Sequence, residues 1–313
     1  MFKLIGRRLV SLLFVIFSIT FLTFVVGYLA PGDPILVMMG TRTDPQIYAS
    51  LRAQYGLDQP WYVQYLRYAG GLLHGDLGKS FRYQNRSVNE ILGRGVGVSC
   101  TLGGLALLVS LLVGLPAGIF SALHQHSWLD RANMVVMLAL FSIPSFVLIP
   151  VLRAFNYFVL FQQGLPSLPP AGWGRPAHWV MPVLVLAAAN VGYIAQLTRS
   201  SMLDVMRQDY IRTAQAKGLP SRRVIYVHTL RNALLPVATV IGPALAFLVT
   251  GAFVVESLFA IPGVGYLGVQ SIAQRDYPVI QGATIVLAVA VVLMNLLTDL
   301  IYPLLDPRIE EQS

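Results

Sequence analysis

The sequence predicts an all-α integral membrane protein with six transmembrane helices and a long extracytoplasmic insertion between the first two. Three observations carry that prediction. Of 313 residues, 56% are hydrophobic and 12% are charged, where a soluble domain has roughly 25% charged residues. The mean hydropathy is +0.66. Six apolar runs also reach the ~20 residues needed to cross a bilayer.

Taken in order, the runs are Leu9–Ala30, Val98–Leu123, Met134–Phe161, Trp179–Leu197, Leu234–Phe259 and Val279–Leu305. The first follows Lys3, Arg7 and Arg8 and so looks like a signal peptide. Its apolar part is too long for a signal core, which makes it a retained anchor helix. The domains follow: 1–30 for the N-terminal end and first helix, 31–96 for the insertion, 97–305 for a five-helix core, and 306–313 for a tail. Within the insertion, Thr43-Asp44-Pro45 reads as a helix start with proline at the first helical position. Ile47, Leu51 and Tyr55 follow at helical spacing and Gly56 ends the run. Trp61, Tyr62, Tyr65, Leu66 and Tyr68 form an aromatic amphipathic stretch. It reads equally as an interfacial belt and as a vestibule for a soluble partner.

Charge sets the orientation. The formal net charge is +8. With both termini inside, the inner segments hold Lys3, Arg7, Arg8, Arg131, Arg199, Arg207, Arg212, Lys217, Arg222, Arg223, Arg231 and Arg308. The short outer loops hold only Arg175 and Arg275. Short loops decide topology and long translocated segments count little, so the termini are expected in the cytoplasm. The basic balance fits cytoplasmic loops, and no nucleic-acid-binding module is visible.

The segment Asp209–Pro236, which overlaps the expected cytoplasmic loop 199–232, is too polar for lipid and too well punctuated for a linker. Ile211–Lys217 can form two helical turns, and Gly218 suits the left-handed residue that closes a helix. Pro220 prevents continuation. Ser221 is expected to cap a second helix with Val224, Val227 and Leu230 on one face. A helix this short is marginal alone in water, and Arg222 and Arg223 at a helix start oppose its dipole. Both features call for a partner surface, while the arginines also satisfy the positive-inside rule by themselves.

This segment resembles the EAA loop of ABC-importer permeases, E-A-A-x3-G-x9-I-x-L-P. Here Arg212-Thr213-Ala214 stands for the first triplet and Gly218 matches the glycine. The Glu, first Ala, Ile and Pro are absent, a departure that resembles the peptide-permease subgroup. Further similar stretches are APGDP (Ala30–Pro34), GLDQP (Gly56–Pro60), GDLGKS (Gly75–Ser80), SWLDR (Ser127–Arg131), IPSF (Ile143–Phe146), VVES (Val254–Ser257), PGVG (Pro262–Gly265), RDYPVIQG (Arg275–Gly282) and LLDPR (Leu304–Arg308). Their order and spacing over nearly the whole chain resemble the first permease subunit of dipeptide, oligopeptide and nickel-type ABC importers. The resemblance implies a type I importer-like fold. It also implies a second related permease, two ATPase subunits that bind ATP and Mg, and an extracytoplasmic binding protein. Coupling to the ATPase would fall to Arg212, Thr213, Ala214, Lys217, Gly218, Arg222 and Arg223. Peptides are the commonest cargo, with nickel chelates and glutathione as alternatives.

Catalysis has no candidate. The stretch from His74 to Ser80 is tempting as a phosphate-binding loop, but Leu73 stands where its first glycine belongs. Neither a zinc-protease nor a serine-hydrolase motif appears. The single Cys100 excludes an internal disulfide and a Cys/His zinc site, and His124 and His126 read as a solvated turn. Arg153 and Asn156 lie inside the third run, where ionisable groups are functional candidates by default. Arg153 is either a pore-facing cation or a residue that snorkels to the interface. Glu256 either gates substrate passage or hydrogen-bonds a neighbouring helix, and Asp299 favours helix packing. Pro116, Pro144, Pro150, Pro182 and Pro243 are expected to interrupt spans, and Gly114 with Gly118 forms a close-packing face. An ion-coupled secondary transporter is the rival reading, but it predicts internal repeats that are not seen.

Overall fold

The computed structural model describes residues 2–40, 44–83 and 86–305, and within them the side chains outside 2–5, 7–11, 246–251 and 299–305. Helices dominate these residues, with one isolated antiparallel bridge between Lys79 and Ser87. In chain order they are α1 (Phe2–Leu29), α2 (Pro34–Met39), α3 (Pro45–Tyr55), α4 (Trp61–Leu73), α5 (Val88–Leu123), α6 (Trp128–Ser142) and α7 (Ser145–Phe155), which runs into a π-helical turn, Asn156–Phe161. Then come α8 (Ala177–Met206), α9 (Asp209–Ala216), α10 (Ser221–Arg223) with a π-helical turn, Val224–Thr229, α11 (Leu230–Phe259), α12 (Val264–Gln274) and α13 (Tyr277–Leu305).

Among the described residues five stretches are long and apolar enough to cross a membrane: Leu12–Leu29, Val88–Leu123, Ala177–Met206, Ser221–Leu245 and Tyr277–Thr298. The expected third run is not one rod. It breaks between α6 and α7 with a bend of 111°. The cause is local: Pro144 disfavours helical backbone in the residue before it, and Ile143 is extended at φ −80°, ψ 120°. The other expected proline breaks do not occur, because α5, α7, α8 and α11 continue through Pro116, Pro150, Pro182 and Pro243.

The chain divides into two compact units, Met1–Cys100 with Ala260–Val292, and Thr101–Phe259 with Leu293–Ser313. In the first, Val88, Leu92, Val264, Val279 and Ala283 form an apolar core. The α4 helix docks on α1 through Tyr65, whose ring meets Phe17, Phe21 and Phe24. Trp61, Tyr62 and Leu66 stay exposed, so the aromatic stretch splits between packing and surface. The expected start of α3 is seen in Asp44, whose carboxylate accepts the N–H groups of Gln46 and Ile47 at 2.8 and 3.4 Å, while Thr43 lies outside the described residues. Gly56 ends the helix in left-handed backbone at φ 69°.

The second unit is built around α8. Its apolar window is 67% buried, against 11–28% for the other four long helices, so α8 is the core and the others carry surface. Small residues make this approach close. A Cβ on Gly192 would stand 2.2 Å from the Met137 carbonyl oxygen of α6. Gly114 and Gly118 face Ile194, Ala195 and Thr198 of the same helix, the packing use of a G-x-x-x-G pair.

Candidate functional site

The basic segment folds as a closed elbow. Gly218 N–H donates to the Gln215 carbonyl at 2.9 Å, and Leu219 N–H to the Ala214 carbonyl at 3.3 Å. This is the paired-bond ending of a helix that needs one left-handed residue, and Gly218 supplies it at φ +73°. No atom lies within 4 Å of where its Cβ would stand, so backbone conformation rather than space selects glycine. Inside the elbow, Ile211, Ala214 and Val224 form an apolar seam with Val205 and Leu219. Asn232 donates to the Tyr210 hydroxyl at 2.9 Å and ties α9 to α11.

Arg212, Thr213, Lys217, Gly218, Arg222 and Arg223 are each exposed. Ala214 is not among them: at 8% exposure it belongs to the inner seam and offers no seat for an external surface. Arg212 approaches Asp209 at 3.6 Å, but both are largely solvated and such pairs contribute little. The expected Ser221 cap is absent. Ser221 is the first helical residue, and Pro220 ahead of it makes no side-chain cap. The expected face also changes. The π turn inserts one residue, so the buried positions run Val224, Thr229, Ala233, Val237, and Val227 is turned out at 52% exposure.

Toward the end of α8, half-buried Arg199 forms an ion pair with buried Asp130. Arg199 Nε donates to Oδ1 at 2.8 Å and Nη2 to Oδ2 at 2.7 Å, and the Asp130 side chain is 3% exposed. Ser127 caps α6 through the Asp130 N–H at 3.1 Å. Among the described residues no group of three His, Cys, Asp or Glu side chains could hold a metal. His124 instead approaches the Phe120 carbonyl at 2.9 Å.

The intramembrane candidates have local occupations. Arg153 donates to the Pro170 carbonyl at 3.1 Å and to the Leu258 carbonyl at 2.6 Å, and its guanidinium lies 4.8 Å from the Phe259 ring centre. It thus caps the carbonyl end of α11, where a cation is favoured by the helix dipole. Gly172 N–H takes the neighbouring Phe259 carbonyl at 2.7 Å. Asn156 is buried and closes the 156–168 loop by a two-way bond with the Leu168 backbone, at 2.9 and 2.8 Å. Glu256 is fully buried on α11. The Asp299 side chain lies outside the described residues.

Two features escaped the sequence reading. One is a clasp in which buried Asp276 accepts the Ser80 hydroxyl and the Phe81 and Arg82 N–H groups, the latter two at 3.0 and 3.2 Å. The false phosphate loop and the RDYPVIQG stretch are its two halves. The other is a cavity of about 580 Å³ in the first unit, lined by the ends of α1 and α13, by α3 and α4, and by the 76–81 loop. Tyr68 lines it, and burial pushes its phenol well above the ordinary range, so the hydroxyl keeps its proton.

Comparison with known proteins gives the family. Residues 114–311 match the binding-protein-dependent transport system inner membrane component family, and residues 1–94 match the N-terminal family of such membrane components. Dipeptide transport system permease protein DppB of Bacillus subtilis is 43% identical over 97% of this chain and 96% of its own. The Escherichia coli K12 protein of that name is 37% identical over all of both chains. Oligopeptide transport system permease protein OppB of Haemophilus influenzae is 38% identical over 99% of each. A structure of the MetNI methionine ABC transporter, inward facing, aligns with TM-score 0.58 at 18% identity over 69% of this chain and 96% of the matched chain, which shows a shared fold. The chain belongs to the binding-protein-dependent transport system inner membrane component family and is an ABC-importer permease with multiple membrane helices.

Proposed function

We propose that this chain is one of two related permease subunits of an ATP-driven importer of di- or oligopeptides in a bacterial or archaeal inner membrane. An extracytoplasmic binding protein delivers the peptide, and two ATPase subunits bind ATP and Mg. The full-length match to dipeptide and oligopeptide permeases, up to 43% identity over 97% of the chain, carries this reading. The charge asymmetry supports cytoplasmic termini, which places the α9 elbow inside and the 31–96 segment outside.

Coupling follows from the elbow. Nucleotide-driven closure of the ATPases moves whatever is seated in their clefts. A short helix fixed to α11 through the Ile211–Val224 seam passes that motion to a membrane helix, and exposed Arg212, Lys217, Arg222 and Arg223 face an acidic rim. Uptake of a labelled dipeptide by vesicles holding the complete complex and binding protein tests the reading. It should require ATP and stop with vanadate. ATP-dependent uptake of nickel chelate or glutathione, with none of peptide, would move the cargo within the family. Uptake driven by an ion gradient without ATP would overturn the reading.

A further inference from the structure

We propose that the cavity enclosed by α1, α3, α4, the 76–81 loop and α13 binds a short peptide in its free-acid form, as a holding site separate from the membrane path. The inference rests on the peptide reading above and adds a place where this chain itself recognises the cargo.

The cavity measures about 580 Å³, within the ~300–1,000 Å³ typical of small-molecule sites. Its polar lining is unevenly satisfied. Tyr68 buries its hydroxyl without a hydrogen-bond partner among the described residues, and an unmet buried donor is costly to keep. Gln281 is 8% exposed and lines the same space. No hydrogen bond to its amide is formed among the described residues. Arg67 lies over Gly56 so closely that a Cβ there would stand 2.4 Å from Nη1. Among the described residues neither Arg67 nor Lys79 has a carboxylate within ion-pair distance, although both line the cavity.

The acids are differently placed. Asp33 has both oxygens engaged: Oδ1 takes the Ile35 N–H at 2.8 Å and Oδ2 the Tyr48 hydroxyl at 2.5 Å. Asp76 gives Oδ1 to the Gly78 N–H at 2.9 Å and keeps Oδ2 for a ligand. What remains without a protein partner among the described residues is therefore the buried Tyr68 hydroxyl, the exposed cations Arg67 and Lys79, and one half-free carboxylate at exposed Asp76. That set complements a molecule with a terminal carboxylate, amide carbonyls and one ammonium group. Guanidinium and carboxylate pair with particular strength. The Tyr55 and Phe81 rings, 5.1 Å apart edge to face, give a wall for side chains without selecting one, which suits cargo of varied sequence.

The test uses the assembled permease–ATPase complex in nanodiscs, without binding protein or nucleotide, and measures equilibrium binding of labelled trialanine. Saturable binding is expected, weakened about tenfold for trialanine amide and about tenfold by Arg67→Met, the loss of one charge-assisted bond. Tyr68→Phe removes only the hydroxyl and should weaken binding about fivefold. Peptide binding that these two variants leave unchanged would overturn the site. So would native mass spectrometry showing a phospholipid retained by the wild type and lost in Arg67→Met, because the occupant is then a lipid headgroup. The parallel uptake assay separates the two claims. Uptake without binding at the cavity removes this site alone, whereas absence of peptide uptake removes the functional reading as well.

Discussion

Arg199 holds Asp130 through two parallel bonds of 2.8 and 2.7 Å, and joins the start of α6 to the far end of α8. The carboxylate is 3% exposed, and its desolvation is compensated chiefly by the guanidinium, with the His126 N–H donating to Oδ2 at 3.2 Å. Removing one partner of a fully buried pair costs about 3–5 kcal/mol, and the 26% exposure of the Arg199 side chain sets the loss here below that range. Arg199→Met should therefore lower the thermal stability of the purified complex markedly. The double variant with Asp130→Leu should recover part of the loss. Equal stability of the single variant and wild type would show that the pair carries no such weight.

The elbow predicts a graded series at Gly218. Since nothing crowds its missing Cβ, only the left-handed backbone matters. A β-branched residue there costs roughly 1–2 kcal/mol, while asparagine tolerates the conformation. Gly218→Val is expected to insert in the membrane normally yet lose ATPase co-purification and uptake, with Gly218→Asn keeping most of both. Normal uptake and co-purification by the valine variant would remove the elbow from coupling.

Arg153 tests a structural reading against a substrate-binding one. Its bonds to the Pro170 and Leu258 carbonyls are exposed, so Arg153→Leu should lower stability by only about 0.5–1.5 kcal/mol, the net worth of a typical hydrogen bond. The ratio of free-acid to C-amidated peptide uptake should stay the same. A changed ratio would return Arg153 to the translocation path.

Helix approach at Gly192 allows no added atom. Gly192→Ala places a Cβ 2.2 Å from the Met137 carbonyl, and overpacking of this kind costs at least 1–3 kcal/mol. Gly104→Ala meets nothing within 4 Å and gains helix propensity instead. Thermal unfolding of the two variants should move in opposite directions.

The clasp at Asp276 predicts a change in protease sensitivity. Asp276→Asn replaces one acceptor oxygen with an amide donor, so that either the Ser80 hydroxyl and Arg82 N–H or the Phe81 N–H lose their acceptor. Limited proteolysis should then cut near residues 79–83 while the rest of the chain stays resistant.

What could be read from sequence was what neighbours in sequence decide. The Asp44 cap, the Gly56 stop and the Gly218 elbow each follow from bonds within a few residues. The break at Pro144 was visible, but its 111° bend was not, since the angle depends on what α7 packs against. The continuity of α5, α8 and α11 through their prolines was misread because packing compensates the lost bonds. The π turn had no local signature and reversed the expected place of Val227. The clasp joins Ser80 to Asp276 across 196 positions. No periodicity carries a contact at that range.

The turn after α9 is closed by main-chain bonds to the Gln215 and Ala214 carbonyls, and the seam beneath it uses Ile211, Ala214 and Val224. The exposed residues around it, Arg212, Gln215, Ala216 and Lys217, are thus free to diverge without altering its angle. A lineage can exchange one motor protein for another by recolouring this short surface, and the lever beneath keeps its shape.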